Sequence, residues 1–315
     1  MFKKILFATS ASPACDDAAN VAFDMARRNE AELHVFHVLG LPTRGFSPFV
    51  TDVRTGEEAD HDDEYHAWVK EEIKNTYARQ LETAKNIELV TSVGVPHTEI
   101  LRYARQNDVD LIIMGSNTRG ENVGASRFKG VAGSTVQKVS KAARCPVLIV
   151  SRPCTTCWSY FSNIVFGTDF SKASWSAFLF AYKVAKTVGC KLHIFHALDL
   201  RSDESVDSSQ GLIEERIEEI KGRMTKIYGK AMKDFDNFEF EVWEGMPYVE
   251  ILKFARERKA DLIVMAHHAK KVDAEDATLG RTVEQVALRS ACPVASVTHP
   301  DKVEMLAEDS QLAKA

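Results

Sequence analysis

The sequence predicts an α/β protein built from two tandem, doubly wound parallel-sheet domains, and three observations support this prediction. The chain has 315 residues, about twice the usual length of one compact α/β domain. The segment GVPHTEILRYARQNDVDLIIMGS from Gly94 is repeated as GMPYVEILKFARERKADLIVMAH from Gly245. In both copies, short apolar runs alternate with segments of helical periodicity, which is typical of βαβ units.

The elements of the two copies follow one order. KKILFAT and NIVFGTD are apolar runs that end at a turn, as expected for first strands buried on both faces of a parallel sheet. Ser12 and Ser171 then precede helical segments as predicted N-caps. Long polar helices are predicted at residues 64–85 and 211–233. We therefore predict domains at residues 1–151 and 163–298, joined by a linker.

Composition and charge exclude several classes of protein. Hydrophobic residues make up 45% of the chain and charged residues 27%, and no apolar run approaches the roughly 20 residues that cross a bilayer. The net charge of −5 supplies no basic field for a nucleic-acid backbone. The six cysteines are too sparse for a disulfide framework. We expect a cytoplasmic protein that binds neither membranes nor nucleic acid.

The segments ILFATSAS, LHVFHV, IIMGS, the glycines before GST, and CPVLIV stand in the order found in universal stress proteins, and the chain resembles that family over both repeats. ATP-binding members of the family carry G-x2-G-x9-G-[ST] after strand 4 and an aspartate at the end of strand 1. The glycines let backbone N–H groups approach phosphates at a helix amino end. The resemblance implies strand order 3-2-1-4-5 in each repeat, with the repeats packed through their last strands.

Repeat 1 matches the family's nucleotide motif in part. Gly115 corresponds to the first glycine and Gly133 to the last, but the loop between them is five residues longer than in the family, and Thr118 replaces the second glycine. The strand-1 aspartate is replaced by Ser10. The alternative is a glycine-rich surface loop that binds nothing. The residues that the resemblance assigns to a nucleotide in repeat 1 are Thr9, Ser10, Val38, Met114, Gly115, Gly133, Ser134 and Thr135.

Repeat 2 departs from the family in the opposite way. It keeps the strand-1 aspartate, Asp169, but has Ala266 and Ala269 in place of two glycines and Arg281 in place of the hydroxyl residue. Alanine Cβ atoms crowd a phosphate path, so the sequence favours repeat 1 as the nucleotide site. The corresponding residues in repeat 2 are Thr168, Asp169, Ala197, Met265, Gly280 and Thr282.

Histidines and cysteines offer other chemistry, which we weigh against simpler explanations. His267 and His268 are adjacent with no third ligand apparent, so we expect surface or loop histidines and no metal site. The second-strand histidines, His34 and His37 with His193 and His196, alternate between sheet faces, so we expect core or rim residues rather than a catalytic base. The linker pair Cys154 and Cys157 is interpreted as structural or solvated thiols, with a redox or intersubunit metal role as the alternative.

The resemblance implies a stress-response regulator that binds ATP or a related adenine nucleotide, with Mg²⁺ as a companion of ATP, and that forms a homodimer. The alternative is a nucleotide-free regulatory or interaction protein of the same fold. An enzyme of the wider adenine-nucleotide α-hydrolase class would need catalytic groups, and the sequence shows no such constellation. We therefore predict no catalytic residues and at most slow ATP hydrolysis.

Overall fold

A computed structural model of the chain describes residues 1–42, 49–52, 58–60, 63–116, 133–151, 161–200, 210–267 and 281–297. The elements of repeat 1 are β1 (Lys4–Ala8), α1 (Asp16–Asn29), β2 (Glu32–Val38), β3 (Gly40–Pro42), β4 (Phe49–Asp52), β5 (Glu58–Asp60), α2 (Asp63–Thr76), α3 (Ala78–Glu82), β6 (Ile87–Ser92), α4 (Pro96–Gln106), β7 (Leu111–Gly115), α5 (Ser134–Ala142) and β8 (Val147–Val150). Those of repeat 2 are β9 (Asn163–Gly167), α6 (Lys172–Val188), β10 (Lys191–Leu198), α7 (Gln210–Ile227), β11 (Phe238–Glu244), α8 (Pro247–Glu257), β12 (Leu262–Ala266), α9 (Arg281–Arg289) and β13 (Val294–Val297).

The two repeats share one ten-stranded sheet in the order β11-β10-β9-β12-β13-β8-β7-β1-β2-β6. Each repeat contributes five strands to this sheet, and these five are parallel and follow the predicted order 3-2-1-4-5. The last strands, β13 and β8, pair antiparallel, with Val294 opposite Ile149. The predicted doubly wound fold is confirmed, and each repeat covers the other's exposed strand edge.

Helices cover both faces of this sheet and enclose a hydrophobic core on each. One core lies under α1 and α6, and the other under α4, α5, α8 and α9. Each core contains residues of both repeats; for example, the rings of Phe2 and Phe180 lie 6.3 Å apart between centroids. The central strands are buried on both faces, which explains their uninterrupted apolar sequences.

Two local expectations were wrong, and one small sheet was not predicted. The helices predicted at 64–85 and 211–233 are each interrupted, at Tyr77 and Tyr228, where the buried phenol hydrogen-bonds a threonine at the end of the first strand. Gly40–Pro42, Phe49–Asp52 and Glu58–Asp60 form an unpredicted antiparallel sheet, β3-β4-β5. Ser12 makes no capping hydrogen bond because a short 3-10 turn precedes α1, whereas Ser171 caps α6 as predicted by accepting from the Ser174 N–H at 3.1 Å.

Some sequence features lie outside the described residues. These include the linker cysteines Cys154 and Cys157, the loop glycines between 117 and 132, Gly280 and His268. Among the helices that the structure describes, none combines the length and apolar character needed to cross a membrane.

Candidate functional site

Each repeat has a cavity at the carboxyl ends of its strands, between strands 1 and 4. The helical connections on the two sides of strand 1 run over opposite faces of the sheet. The cavity therefore lies at the topological switch point where doubly wound domains bind ligands. In repeat 2 it lies between the ends of β9 and β12, and in repeat 1 between the ends of β1 and β7.

The cavity of repeat 2 has a volume of about 310 Å³. That volume reaches the lower end of the range for small-molecule sites, about 300–1,000 Å³. Its walls include Pro247 and Ile251 of α8, which the sequence reasoning missed because they belong to a helix outside the glycine motif. Every predicted repeat-2 residue that the structure describes lines the cavity, namely Thr168, Asp169, Ala197, Met265 and Thr282.

The cavity of repeat 1 has a volume of only about 60 Å³. Six predicted residues line it, namely Thr9, Ser10, Val38, Met114, Gly115 and Thr135. Gly133 and Ser134 are instead the N-cap and first residue of α5, and the Gly133 N–H donates to the Ser116 carbonyl at 3.2 Å. That N–H is therefore already used and is not free for a phosphate.

Two small differences in side chains contribute to the unequal volumes. Ala8 and Val38 line the cavity of repeat 1, and the corresponding residues of repeat 2 are the smaller Gly167 and Ala197. A Cβ atom added at Gly167 would lie 3.3 Å from the Ile251 Cδ1 atom, on the opposite wall. The three additional carbon atoms in repeat 1 therefore occupy space that is open in repeat 2.

Gly115 has a packing role that its motif position did not reveal. A Cβ atom at this residue would lie 2.9 Å from the carbonyl oxygen of Ala14, in the 3-10 turn before α1. The corresponding residue of repeat 2 is Ala266. Close packing of β7 against this turn therefore requires a glycine in repeat 1, whether or not a phosphate binds there.

The end of the first strand differs between the repeats. In repeat 2, the Asp169 Oδ1 atom accepts from the Ser171 N–H at 3.0 Å and the Ser174 hydroxyl at 2.5 Å. These bonds hold the carboxylate at the amino end of α6, where the helix dipole favours a negative charge. In repeat 1 the Ser10 hydroxyl pairs with the Ser12 hydroxyl at 2.9 Å. Only repeat 2 therefore presents an oriented carboxylate at this position.

The second-strand histidines hold the ends of the first strands. The Nδ1–H of His37 donates to the Thr9 carbonyl at 2.9 Å, and that of His196 donates to the Thr168 carbonyl at 2.8 Å. Burial lowers the pKa of His196, although the Thr168 carbonyl and the Asp169 carboxylate act in the opposite direction. His196 is thus a neutral structural donor, and the prediction of core or rim histidines is confirmed.

His267 lies directly after β12 and outside any strand, as expected of a loop residue, but it is not at the surface. Its side chain is buried and lines the cavity of repeat 2. The residue directly follows β12 and corresponds to Ser116 of repeat 1, which is also buried.

Positive charge lies near the repeat-2 cavity. Arg281, the first residue of α9, lines it together with Thr282. Arg223 and Arg216 of α7 lie close enough to oppose protonation of His196. The amino end of a helix and nearby guanidinium groups both favour an anion. The cavity therefore combines an apolar wall, one carboxylate and an anion-attracting rim.

The fold and these cavities define a tandem pair of doubly wound α/β domains with ligand-binding geometry at their switch points. The model of the universal stress protein family matches residues 1–151 and 161–298. The chain belongs to the universal stress protein family.

Individual relatives agree with this assignment. A universal stress protein of Methanocaldococcus jannaschii is 29% identical over 161 residues, covering 49% of this chain and 84% of the relative. One from Bacillus subtilis is 32% identical over 155 residues, covering 48% and 99%. A solved universal stress protein of Archaeoglobus fulgidus shares the fold over 95% of this chain and 97% of its own, with a TM-score of 0.64 and 22% identity.

Proposed function

We propose that the protein binds an adenine nucleotide, ATP or a close relative, in the cavity of repeat 2, and that this binding is the signal by which it acts as a stress-response regulator. The observation that supports the proposal is the cavity of about 310 Å³ at the switch point of this repeat. It is large enough for a small-molecule ligand, whereas about 60 Å³ in repeat 1 is not.

The chemistry of the walls suits the parts of such a nucleotide. Ile251 and Met265 offer an apolar slot for a flat base, beside the Ala197 backbone where the family resemblance implies adenine. Asp169 is placed to accept hydrogen bonds from ribose hydroxyls. Arg281, at the amino end of α9, is placed to attract phosphates. When ATP is the ligand, Mg²⁺ would accompany its phosphates.

The glycine motif favours repeat 1 as the nucleotide site, and that sequence-based preference stays a prediction. The site proposed above lies in repeat 2 instead. The motif concerns how closely a backbone can approach phosphates, but it does not report whether space exists for the base and ribose. Val38 and Ala8 take up that space in repeat 1. Arg281 in repeat 2 supplies a charged group where repeat 1 has Ser134, which offsets the missing glycines.

Exchange of cavity residues between the repeats tests the proposal. The double variant Gly167→Ala/Ala197→Val gives repeat 2 the two side chains that narrow repeat 1, and Val38→Ala is the reciprocal control. After removal of copurified nucleotide, each folded protein is titrated calorimetrically with ATP, ADP and AMP. We expect the double variant to bind at least about tenfold more weakly, which is about 1.4 kcal/mol, and Val38→Ala to bind no more weakly than wild type.

The outcomes distinguish a protein that binds no nucleotide from one that binds it in the other repeat. Wild-type protein that binds none of the three nucleotides would overturn the proposed function and favour the nucleotide-free regulatory alternative. Wild-type binding that the double variant retains, with a changed affinity only in Val38→Ala, would place the site in repeat 1. Mass spectrometry of ligand released from freshly purified protein identifies which nucleotide the cavity retains.

A further inference from the structure

A second constellation lies at the opposite end of the sheet, where β2 and β6 begin. Glu32, His34 and Glu88 each present a ligand atom there, and the three atoms lie within 4.8 Å of one another. His34 and Glu88 are directly paired across the two strands, and Glu32 lies two residues before His34 on the same face of β2. We call these three residues the β2–β6 cluster.

The histidine of the cluster presents a buried ring nitrogen towards a carboxylate. Its side chain is only 2% exposed, and its Nδ1 hydrogen-bonds the Tyr103 hydroxyl at 2.6 Å. Its Nε2 is buried without a hydrogen-bond partner among the described residues, and it lies 3.2 Å from the Glu32 Oε1 atom. A metal-binding histidine characteristically donates its second ring N–H to a fixed acceptor, and Tyr103 provides one.

Negative charge at the cluster exceeds what its neighbours neutralise. Lys4 reaches the second oxygen of Glu32 at 3.5 Å, which leaves the Oε1 atom facing His34. A cation at this position would therefore find two carboxylates and a ring nitrogen.

The position of repeat 2 that corresponds to Glu32 carries a positively charged side chain. Lys191 replaces Glu32, and its ammonium group contacts the Glu239 Oε2 atom at 2.5 Å. Glu239 also meets the His193 Nδ1 atom at 2.5 Å, and the His193 Nε2 atom is 2.9 Å from the Asn163 Oδ1 atom. Both ring nitrogens therefore have partners in repeat 2. Repeat 1 has the same histidine and the Glu239 counterpart but lacks the lysine.

We propose that the β2–β6 cluster is a site for one divalent transition-metal cation of the zinc type, with Glu32, the Nε2 atom of His34 and Glu88 as ligands. Nitrogen and oxygen ligands about 2.0–2.2 Å from a tetrahedral zinc ion lie about 3.3–3.6 Å apart, close to the 3.2 Å between Glu32 and His34. The Glu88 Oε2 atom lies 3.2 Å from the His34 Nδ1 atom, and this 57% exposed side chain would have to turn towards Nε2 to join the coordination, which water completes.

Zinc binding to matched variants tests this site. Because thiols bind zinc, all proteins carry Cys154→Ser and Cys157→Ser. Glu32→Lys installs the residue that repeat 2 has at this position, and Glu218→Lys makes the same charge change on an exposed surface of repeat 2. Equilibrium dialysis against zinc chloride gives the stoichiometry of each protein. We expect Glu32→Lys to bind one zinc ion fewer per chain than its parent, and Glu218→Lys to match the parent.

A conservative variant tests the role of the histidine tautomer. Tyr103→Phe keeps the ring and removes the hydroxyl, and the corresponding residue of repeat 2 is Phe254. Loss of such a supporting contact typically weakens metal affinity about 10–100-fold. We expect the zinc affinity of Tyr103→Phe to fall within that range, as measured by competition with a chelator. Equal zinc stoichiometry in Glu32→Lys and its parent would overturn the proposal. So would equal losses in Glu32→Lys and Glu218→Lys, because these would reflect net charge alone.

Discussion

Replacing Gly115 by alanine should destabilise the protein even without any ligand. The added Cβ atom would lie 2.9 Å from the Ala14 carbonyl oxygen, and the neighbouring atoms at 3.7 Å, the Ala14 carbonyl carbon and Cys15 Cα, are also backbone. A backbone contact cannot be relieved by rotating a side chain, so β7 and the 3-10 turn must move apart. Overpacking of this kind costs about 1–3 kcal/mol, and we expect about 2 kcal/mol.

Urea unfolding followed by far-UV circular dichroism measures this effect. The matched control is Ala266→Gly, the reverse exchange at the corresponding position of repeat 2, where alanine is already accommodated. It should cost no more than about 1 kcal/mol, the usual penalty of a glycine in a strand. If the free energy of unfolding of Gly115→Ala lies within about 0.5 kcal/mol of the wild-type value, the turn adapts freely and the packing explanation of this glycine is refuted.

Two further predictions concern a helix cap and a titrating histidine. Ser171→Ala should lower the free energy of unfolding by about 1 kcal/mol because it removes a capping bond, whereas Ser12→Ala should change it little, and urea unfolding of both variants checks this. Burial holds the folded-state pKa of His196 below its ordinary value of 6.5, so its stabilising contribution is complete above pH 6.5 and is lost as the pH falls through the folded-state pKa. His196→Gln should therefore lose less stability than wild type over that interval, and an equal loss in urea midpoints would contradict this.

The sequence was sufficient for the topology. Apolar runs such as KKILFAT and NIVFGTD mark strands buried on both faces, and the repeat starting at Gly94 and Gly245 fixes the order of elements twice. Parallel strands joined by helices admit few arrangements, which is why periodicity and family resemblance together predicted the 3-2-1-4-5 order and the pairing of the last strands.

Local features that depend on residues far along the chain could not be predicted from the sequence. Nothing in the helical periodicity around Tyr77 or Tyr228 shows that each phenol will bond a threonine at the end of a first strand. His267 was expected to be a surface or loop residue because no third metal ligand is apparent, yet its position directly after β12 buries it. The threonine partners of Tyr77 and Tyr228 lie tens of positions away and become their neighbours only when the sheet forms.

The sequence by itself predicted a switch-point cavity in each repeat and the residues at the strand ends that line it, because the strand ends are set by the same pattern that sets the strands. Only the tertiary structure decided which of the two sites has room. Among the side chains that differ, Ala8 and Val38 of repeat 1 carry three more carbon atoms than Gly167 and Ala197 of repeat 2, although they look interchangeable as strand residues. In a close-packed interior those atoms have no other space to occupy, so they help to narrow the cavity of repeat 1, which has about 60 Å³ against about 310 Å³ in repeat 2.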